Sequence, residues 1–459
     1  MINLYYLIIP VIIFIPPIII LFFQLLYYYM GTKFKYNKVE IKDFPYLSVL
    51  VPTKGENVDT INDLIKNVLE AEWDKSKIEI IIISDDRESY FNEIKSKLII
   101  PENTDILLFR RGKNRIGYKS GALLEGYKRS RGDLILTLDV DARLDKNSLL
   151  SAYMQLLNRK ADAVTMNWEG YTHNNTSLTR GVIISTYFTN KSIVQGRDKG
   201  NMEVFPIGCG TVFKKSALEA VGAWDPEMIQ DDLEIGAKLL KAGKKIVSSD
   251  ASVHIDVPDT FGAFYIQQTR WAMGSIEVLT RRFKSISSSK LSIIKKIDAI
   301  AFLLQYIPII LTFVMAMLLI AFIPFIHFDI LNNILFLIWF IFLALYAYVF
   351  ILIGKKLNFT NKEALTGLGR TSSYTVALSP FMLLWAFRAF KSKRIYKVTP
   401  KGKKHNISSV IYIILLFGII FLTGSIIYFL QNFIFTGIWL LYYSSGYFST
   451  SYLLIRENK

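Results

Sequence analysis

Residues 133–141 read Asp-Leu-Ile-Leu-Thr-Leu-Asp-Val-Asp and join an apolar run to two carboxylates. The apolar run is typical of a buried β-strand, because it is short and charged residues bound it. Asp139 and Asp141 are two residues apart, so their side chains point the same way on extended backbone. Paired carboxylate oxygens suit Mg2+ or Mn2+. We therefore expect a strand that ends in a metal-binding pair.

Strand-like and helix-like patterns alternate around this stretch. Apolar runs predict strands at residues 47–52, 78–84, 106–109 and 133–138, and amphipathic patterns predict helices at 59–71 and 117–130. Such alternation implies a mostly parallel sheet flanked by helices, in which ligands bind beyond the carboxyl ends of the strands. The polar residues expected at that edge are Thr53, Glu56, Asp85, Asp86, Asp139 and Asp141.

A basic segment leads into the predicted helix at 117–130. Lys119 lies at its start, and Arg110, Arg111, Lys113 and Arg115 lie just upstream. Exposed N–H groups at a helix N-terminus and nearby positive charge together favour an anion, so this segment predicts a diphosphate site. A solvated basic loop is the alternative interpretation.

Two further motifs follow along the chain. Asp231 and Asp232 open a predicted helix, and Asp232 is the candidate base for accepting a hydroxyl proton. Helix capping would also explain this acidic pair, and both roles are compatible. In residues 267–271, Gln267 can bind hydroxyls, Arg270 a phosphate and Trp271 a sugar ring. A Trp/Arg pair at a membrane interface is the alternative.

The composition indicates a membrane protein. The chain has 459 residues, is 52% hydrophobic and carries a formal net charge of +16. No nucleic-acid-binding module accompanies that charge, and the basic residues cluster beside apolar segments, as expected on a cytoplasmic membrane face. Cys209 is the single cysteine, which excludes an intramolecular disulfide.

Long apolar tracts predict five membrane spans with the N-terminus outside and the C-terminus inside. The predicted spans are residues 4–30, 298–326, 330–353, 408–430 and 434–455. Residues 362–390 are expected to be interfacial, because a span there would place the lysine-rich residues 391–404 outside. The expected parts are an N-terminal transmembrane helix (1–30), a cytoplasmic catalytic domain with an interfacial helix (31–285) and a C-terminal transmembrane region (286–459).

Together these motifs resemble the processive, membrane-integrated glycosyltransferases of family 2, which include cellulose, hyaluronan and chitin synthases. The resemblance covers residues 46–402. It implies an α/β fold of the GT-A type and inverting transfer from a nucleotide-diphospho-sugar, with Mg2+ or Mn2+ as cofactor. A UDP-sugar is favoured as the donor, and a GDP-sugar is the alternative.

The resemblance also implies roles for single residues. Donor binding is expected of Thr53, Glu56, Asp85, Asp86, Lys119 and Asp139, and metal binding of Asp139 and Asp141. Asp232, next to Asp231, matches the family's base. The acceptor terminus and the diphosphate would be lined by Gln267, Arg270 and Trp271. A gating-like loop, residues 391–404, would contain Tyr396, Val398, Thr399 and Lys401.

The expected function is therefore transfer of sugar to a growing polysaccharide at the cell membrane, coupled to its translocation. One alternative is transfer of a single sugar to a lipid acceptor, and another is a transporter or scaffold with an inactive transferase-like domain. Residues 206–211, Pro-Ile-Gly-Cys-Gly-Thr, depart from the Phe-Cys-Gly-Ser of cellulose synthases. The acceptor pocket is therefore expected to differ from theirs.

Overall fold

The computed structural model describes residues 4–37, 39–41, 43–321, 330–390 and 408–457. The predicted gating-like loop at 391–404 lies outside the described residues, as does the end of the predicted span at 298–326. The strands are β1 (Leu47–Thr53), β2 (Ile78–Ser84), β3 (Asp105–Arg110), β4 (Leu134–Thr137), β5 (Arg143–Leu144), β6 (Ala163–Tyr171), β7 (Thr211–Lys214) and β8 (Ile246–Asp256).

These eight strands of the described chain form one sheet in the order β3-β2-β1-β4-β7-β6-β8-β5. The first four lie where the sequence predicts and run parallel. In the second half, β7 runs antiparallel to both neighbours, β6 pairs with β8 in parallel, and β5 is antiparallel to β8. Six of these eight strands run in one direction, so the sheet is mostly parallel, as predicted, but β5 and β7 run the other way and make its second half mixed. An apolar pattern identifies a strand but not its direction, which explains the difference.

Helices cover both faces of the sheet. After α1 (Leu4–Thr32), they are α2 (Val58–Glu70), α3 (Glu88–Lys97), α4 (Lys119–Arg129), α5 (Ser148–Asn158), α6 (Ser177–Thr189), α7 (Arg197–Lys199), α8 (Lys215–Glu219) and α9 (Asp231–Lys241). A 3-10 turn spans Lys75–Lys77, and a π-helical segment spans Asn190–Gly196. All seven residues of β2 are buried because helices cover both faces of the sheet, and five of the seven are isoleucines.

The remaining helices follow the sheet. They are α10 (Phe261–Ser287), α11 (Ile293–Leu303), α12 (Ile307–Ala321), α13 (Ile330–Lys356), α14 (Asn361–Arg388), α15 (Ser408–Leu430) and α16 (Ile434–Glu457). Within the described ranges, three helical segments are long and apolar enough to cross a membrane: Pro10–Thr32, Asn333–Lys356 and Val410–Leu430. A fourth is formed by α11 and α12 if they make one broken span.

The predicted span at 298–326 is therefore not one straight helix. Helices α11 and α12 are bent by 62° at the break between Leu303 and Ile307. Pro308 lies in the first turn of α12, where its missing N–H leaves no helical hydrogen bond unmade. The three or four apolar segments indicate association with a membrane, whereas the predicted number of five spans is not confirmed.

The sheet-bearing part packs closely against helix α1. A Cβ added to Gly196, at the end of the π-helical segment, would lie 1.9 Å from the carbonyl oxygen of Tyr27 in α1. The Tyr27 hydroxyl donates to Asp298 Oδ1 of α11 at 2.9 Å, and the same carboxylate pairs with the buried Arg197. Three parts of the fold thus meet where the sheet-bearing part joins the apolar helices.

Candidate active site

A polar cavity of about 220 Å3 lies beyond the carboxyl ends of β1, β2 and β4. Most of the residues predicted as a site line it: Thr53, Glu56, Asp85, Lys119, Asp139, Asp141, Asp231, Asp232, Gln267, Arg270 and Trp271. Segments more than 200 residues apart in the chain therefore converge on one cavity, as parallel strand ends predict. Their chemical roles remain predictions.

The carboxylate pair after β4 faces a lysine. The Nζ atom of Lys119, the first residue of α4, lies 2.6 Å from Asp139 Oδ1 and 4.0 Å from Asp231 Oδ2. The side chain of Asp139 is 43% exposed, so this ion pair opens onto the cavity. The backbone carbonyl of Asp141 accepts a hydrogen bond from the Tyr171 hydroxyl at 2.8 Å, which fixes the turn after the strand.

These residues fit a divalent metal in part. Asp139 and Asp141 both line the cavity. Yet among the described residues no group of three or more His, Cys, Asp or Glu side chains forms a metal cage. A cation of the Mg2+ type is commonly held by one or two carboxylates together with substrate phosphates. The carboxylate pair suits such a shared site, in which the remaining ligands come from the donor and water.

Asp85 belongs to a buried ion pair that the sequence did not reveal. Both of its carboxylate oxygens accept from Arg111, the Nε–Oδ1 and Nη2–Oδ2 distances each being 2.6 Å. Arg111 also donates to the carbonyl oxygens of Ile116, Gly117 and Tyr118 at 2.9–3.1 Å. Its side chain has no exposed surface. Arg111 therefore orders the loop before Lys119. Because its side chain is buried, Arg111 is not available to the diphosphate site that the sequence predicts for the basic segment.

Asp86 lies beneath the loop that follows β1. Its Oδ1 accepts from the backbone N–H of Gly55 at 2.7 Å, and its Oδ2 from the Ser84 hydroxyl at 2.9 Å. Gly55 has a φ of 77°, a conformation that favours glycine. Asp86 thus shapes the loop, and donor binding by this side chain stays a prediction.

The second acidic pair opens helix α9 and is buried. Burial, and next the charge of Asp231, raise the pKa of Asp232 from 3.8 to about 7. Burial also raises the pKa of Asp231, while the Lys119 ammonium opposes that rise. The backbone N–H of Leu233 donates to Asp232 Oδ1 at 2.8 Å. A carboxylate with a pKa near neutrality is suited to exchange a proton with a hydroxyl.

The loop before this pair is held from behind by α10. The buried carboxylate of Glu277 accepts from the backbone N–H of Ile229 at 3.1 Å, and Ser120 of α4 donates to the carbonyl of Met228. Gln267, Arg270 and Trp271 lie on the same helix α10, nearer its start. The acidic pair and the three residues of the Gln-x-x-Arg-Trp motif are therefore mounted on one rigid unit.

Trp168 of β6 is a further aromatic residue at the site that was not predicted. Its ring centroid lies 6.3 Å from that of Trp271 with a 36° tilt, and its Nε1 donates to the Cys209 carbonyl at 2.8 Å. Cys209 itself is buried, and burial raises the pKa of its thiol. Its Sγ accepts from the backbone N–H of Asp139 at 3.4 Å, which agrees with a packing role for this cysteine.

A second cavity, of about 550 Å3, extends from the polar cavity between the apolar helices. We call it the helix cavity. Its walls come from α1, α6, α12, α13, α14 and α16, and carry residues such as Gln24, Thr312, Trp339, Thr371, Ser379 and Tyr443. Asp232, Gln267 and Trp271 line both cavities. The candidate base therefore stands where the two spaces meet.

Comparison with known proteins places this geometry among sugar-transferring enzymes. Residues 134–352 match the family model described as Glycosyl transferase family group 2. A probable glycosyltransferase of Sulfolobus acidocaldarius is 42% identical over 425 residues, which cover 91% of this chain and 91% of the relative. A poly-beta-1,6-N-acetyl-D-glucosamine synthase of Staphylococcus aureus is 32% identical over 267 residues, or 56% of this chain and 62% of that relative.

A solved structure shares the fold. A mannosyltransferase from Pyrobaculum calidifontis, in complex with GDP-Man and Mn2+, matches with a TM-score of 0.55 at 17% identity. The match covers 78% of this chain and 97% of that chain. A likeness at such low identity shows the fold alone, and with it the GT-A-like architecture that the sequence predicts.

Proposed function

The chain belongs to family 2 of the glycosyltransferases, and on that premise we propose that it is an inverting enzyme that extends a polysaccharide at the cell membrane. The single observation that carries this proposal is the shared lining of the two cavities by Asp232, Gln267 and Trp271. A base at that junction can meet a donor on one side and an acceptor on the other.

The donor would be a nucleotide-diphospho-sugar bound in the polar cavity. The nucleoside base and ribose would bind where the cavity lies beyond the carboxyl ends of β1 and β2. Thr53, Glu56 and Asp85 line this part of it. Lys119 at the start of α4 would meet the diphosphate, helped by the N–H groups of the helix N-terminus. We favour a UDP-sugar, with a GDP-sugar as the alternative.

Asp139 and Asp141 would hold Mg2+ or Mn2+ together with the donor phosphates. A divalent cation bound there would offset the charge that develops on the leaving nucleotide. Arg270 lines the same cavity and would add a fixed positive charge near the diphosphate. The chain's own residues thus supply positive charge on the leaving-group side.

Asp232 would accept the proton of the attacking acceptor hydroxyl. The hydroxyl oxygen forms the new bond to the anomeric carbon while the bond to the diphosphate breaks, and the proton passes to the carboxylate. Trp271, beside Trp168, offers an aromatic surface on which the terminal acceptor sugar would stack. The deprotonated carboxylate is needed for this step, so its raised pKa makes the reaction pH-dependent near neutrality.

The acceptor would reach the junction through the helix cavity. Hydroxyl, amide and aromatic side chains on its walls suit a saccharide, which carries hydroxyl groups and apolar ring faces. The Staphylococcus aureus relative is named a synthase of a polysaccharide, and this supports an extended product. A kinship with the cellulose, hyaluronan and chitin synthases, and gating by residues 391–404, are parts of the same proposal.

The proposed topology has five spans, with the N-terminus outside and residues 31–285 in the cytoplasm. Residues 1–30 and 286–459 would form the membrane region, and 362–390 would lie at the interface. Basic residues at the ends of the apolar segments, such as Lys355 and Lys356 of α13, support a cytoplasmic position for the sheet-bearing part.

The test is a screen of UDP- and GDP-sugars with Mg2+ or Mn2+, using the full chain in lipid nanodiscs, followed by sizing of the product. We expect one donor to give a polymer. A product with a single sugar on lipid would favour the lipid-acceptor alternative and contradict repeated transfer. Asp232→Asn should abolish transfer and keep donor binding, whereas unchanged transfer would remove Asp232 from the base role.

A further inference from the structure

Lys119 forms an ion pair with Asp139, one of the two carboxylates proposed to hold a divalent cation. Its Nζ lies 2.6 Å from Asp139 Oδ1 and 4.0 Å from Asp231 Oδ2. The ammonium therefore neutralises the charge of a carboxylate that is proposed to hold the metal. A cation bound at Asp139 would be repelled by that positive charge, since like charges within a few ångströms of each other interact unfavourably.

This ion pair differs from the buried pair next to it. Arg111 and Asp85 are 0% and 7% exposed, and Arg111 is also bonded to three carbonyl oxygens, so that pair is closed. Lys119 and Asp139 are 17% and 43% exposed and open onto the polar cavity. A lysine on a flexible four-carbon stem can exchange its partner without movement of the backbone.

We propose that Lys119 makes metal binding conditional on the nucleotide. This inference rests on the proposed function and deepens it. Without a nucleotide, the ammonium holds Asp139 and keeps the divalent cation away. A bound diphosphate offers the ammonium a new anionic partner and offers the cation oxygen ligands that two carboxylates cannot supply alone. Metal and nucleotide then bind as one unit, and Lys119 turns from Asp139 to the phosphates.

The backbone around Lys119 is arranged for such a side-chain exchange. Arg111 fixes the carbonyls of residues 116–118, so the start of α4 stays in place. Ser120, the next residue, is anchored to the carbonyl of Met228. A change of partner from Asp139 to a phosphate would therefore require movement of the lysine side chain and not of its backbone.

The experiment measures Mn2+ binding to the full chain in nanodiscs, by the EPR signal of free Mn2+, without nucleotide and with UDP or GDP. We expect wild-type protein to bind Mn2+ weakly alone and at least about tenfold more tightly with one nucleotide. Lys119→Met should bind Mn2+ at least about tenfold more tightly than wild type when no nucleotide is present. Adding Asp139→Asn should remove this gain.

Lys54→Met is the matched control. Lys54 lines the same cavity, and its Nζ lies over the Tyr118 ring at 5.9 Å. Loss of this charge should leave Mn2+ binding in the absence of nucleotide near the wild-type value. Lys119→Arg keeps a cation at the position and should also remain nucleotide-dependent. Lys119→Gln is a second neutral variant in case the methionine variant does not fold.

Two results would overturn the inference: tight Mn2+ binding by the wild type without nucleotide, or no gain in the neutral variants. Failure of the nucleotide-sugar donor site, on which the proposed function rests, looks different. In that case neither UDP nor GDP would bind in the presence of Mn2+, while the comparison of Lys119→Met with wild type in the absence of nucleotide would still report on the lysine.

Discussion

Asp232 is the proposed base, and its pKa is set by burial and by a second carboxylate beside it. Burial and the charge of Asp231 raise its pKa to about 7. The carboxyl is protonated below that pH and cannot accept a proton. We therefore expect the rate at low donor and acceptor concentration, kcat/KM, to fall as the pH drops below about 7. A pH profile of sugar transfer measures this fall, which forms the acid limb of the profile.

The variant Asp231→Asn separates the two causes of the raised Asp232 pKa, which are burial and the neighbouring charge. The change removes the neighbouring charge and leaves the site buried, so the pKa of Asp232 should fall and the acid limb should move to lower pH. Asp259→Asn is a control, because this carboxylate lines the same cavity but is not among the groups that raise the pKa of Asp232. An unmoved limb in Asp231→Asn would mean that another group titrates.

Arg111 should support donor binding indirectly, because its buried side chain is bonded to Asp85 and to the loop before Lys119. Arg111→Lys keeps the charge but loses the planar fork that bonds Asp85 and three carbonyl oxygens at once. The loop before Lys119 would loosen, and we expect the donor KM to rise roughly tenfold with a smaller change in kcat, a loss of about 1.4 kcal/mol in binding. Steady-state kinetics measure both.

Arg115→Lys is the matched control for this change. Arg115 belongs to the same basic segment, is 30% exposed, and lies 3.6 Å from the same Asp85 oxygen. Its replacement should alter the donor KM by less than about twofold, since lysine keeps the charge of this partly exposed side chain and partly exposed ion pairs contribute little. Equal effects of the two variants would contradict the positioning role of Arg111.

The contrast between Arg111 and Arg115 shows which features of single residues can be predicted from the sequence and which cannot. Residue type and order were enough to place Asp139, Asp232 and Trp271 on one cavity. Sequence alone could not separate Arg111 from its basic neighbours, because burial depends on where Asp85 and the loop carbonyls lie in space. Trp168 was missed for a similar reason, since a single tryptophan in a strand is usually part of the core.

At the scale of elements, the contact between α1 and the π-helical segment Asn190–Gly196 should be intolerant of added atoms. A Cβ on Gly196 would lie 1.9 Å from the Tyr27 carbonyl oxygen, a backbone atom that cannot turn aside. Gly196→Ala should therefore push α1 away and destabilise the protein by about 1–3 kcal/mol, the usual cost of overpacking. Thermal unfolding in detergent measures the change.

Gly369→Ala is the control for the same substitution. Gly369 lies within α14, and a Cβ there meets no atom within 4 Å. Alanine is the better helix former by up to about 1 kcal/mol, so the melting temperature should stay equal or rise. Equal losses in both variants would show that the α1 contact is not the cause.

Elements were predicted well where one property decides them. The strands at 47–52 and 78–84 are predominantly apolar because helices cover both faces of the sheet, and the structure confirms them. The break between α11 and α12 was missed because the sequence is apolar on both sides of the bend, and Gln305 and Tyr306 are too short an interruption to divide a predicted span. Pro308 was the available signal, since proline favours the first turn of a new helix.

At the scale of the whole molecule, each of the long apolar helices has one end close to the sheet-bearing part and the other end far from it. Lys356, at the end of α13, donates to the Tyr187 hydroxyl of α6. At the opposite end, Phe14 of α1 packs against Phe336 and Trp439. Near the end of α15, the Tyr428 hydroxyl donates to the carbonyl of Leu319 in α12. The helices thus have one end near the sheet and one end far from it.

Two asparagines mark these opposite ends and allow a test of the proposed orientation. Asn358 follows α13 and Asn432 follows α15, and both are exposed. Their φ angles are 64° and 63°. The same substitution, to cysteine, therefore carries the same backbone cost at both sites. Cys209 is buried and should not react with a charged, membrane-impermeant maleimide.

In intact cells we expect the maleimide to label Asn432→Cys and to leave Asn358→Cys unlabelled until the membrane is opened. This follows because Asn358 lies at the sheet end, which the basic residues place in the cytoplasm, whereas Asn432 lies one helix length away. The reverse pattern would put the polar cavity outside, away from cytoplasmic nucleotide sugars. Labelling of both sites would mean that α15 does not cross the bilayer, and the helix cavity would then not lead across it.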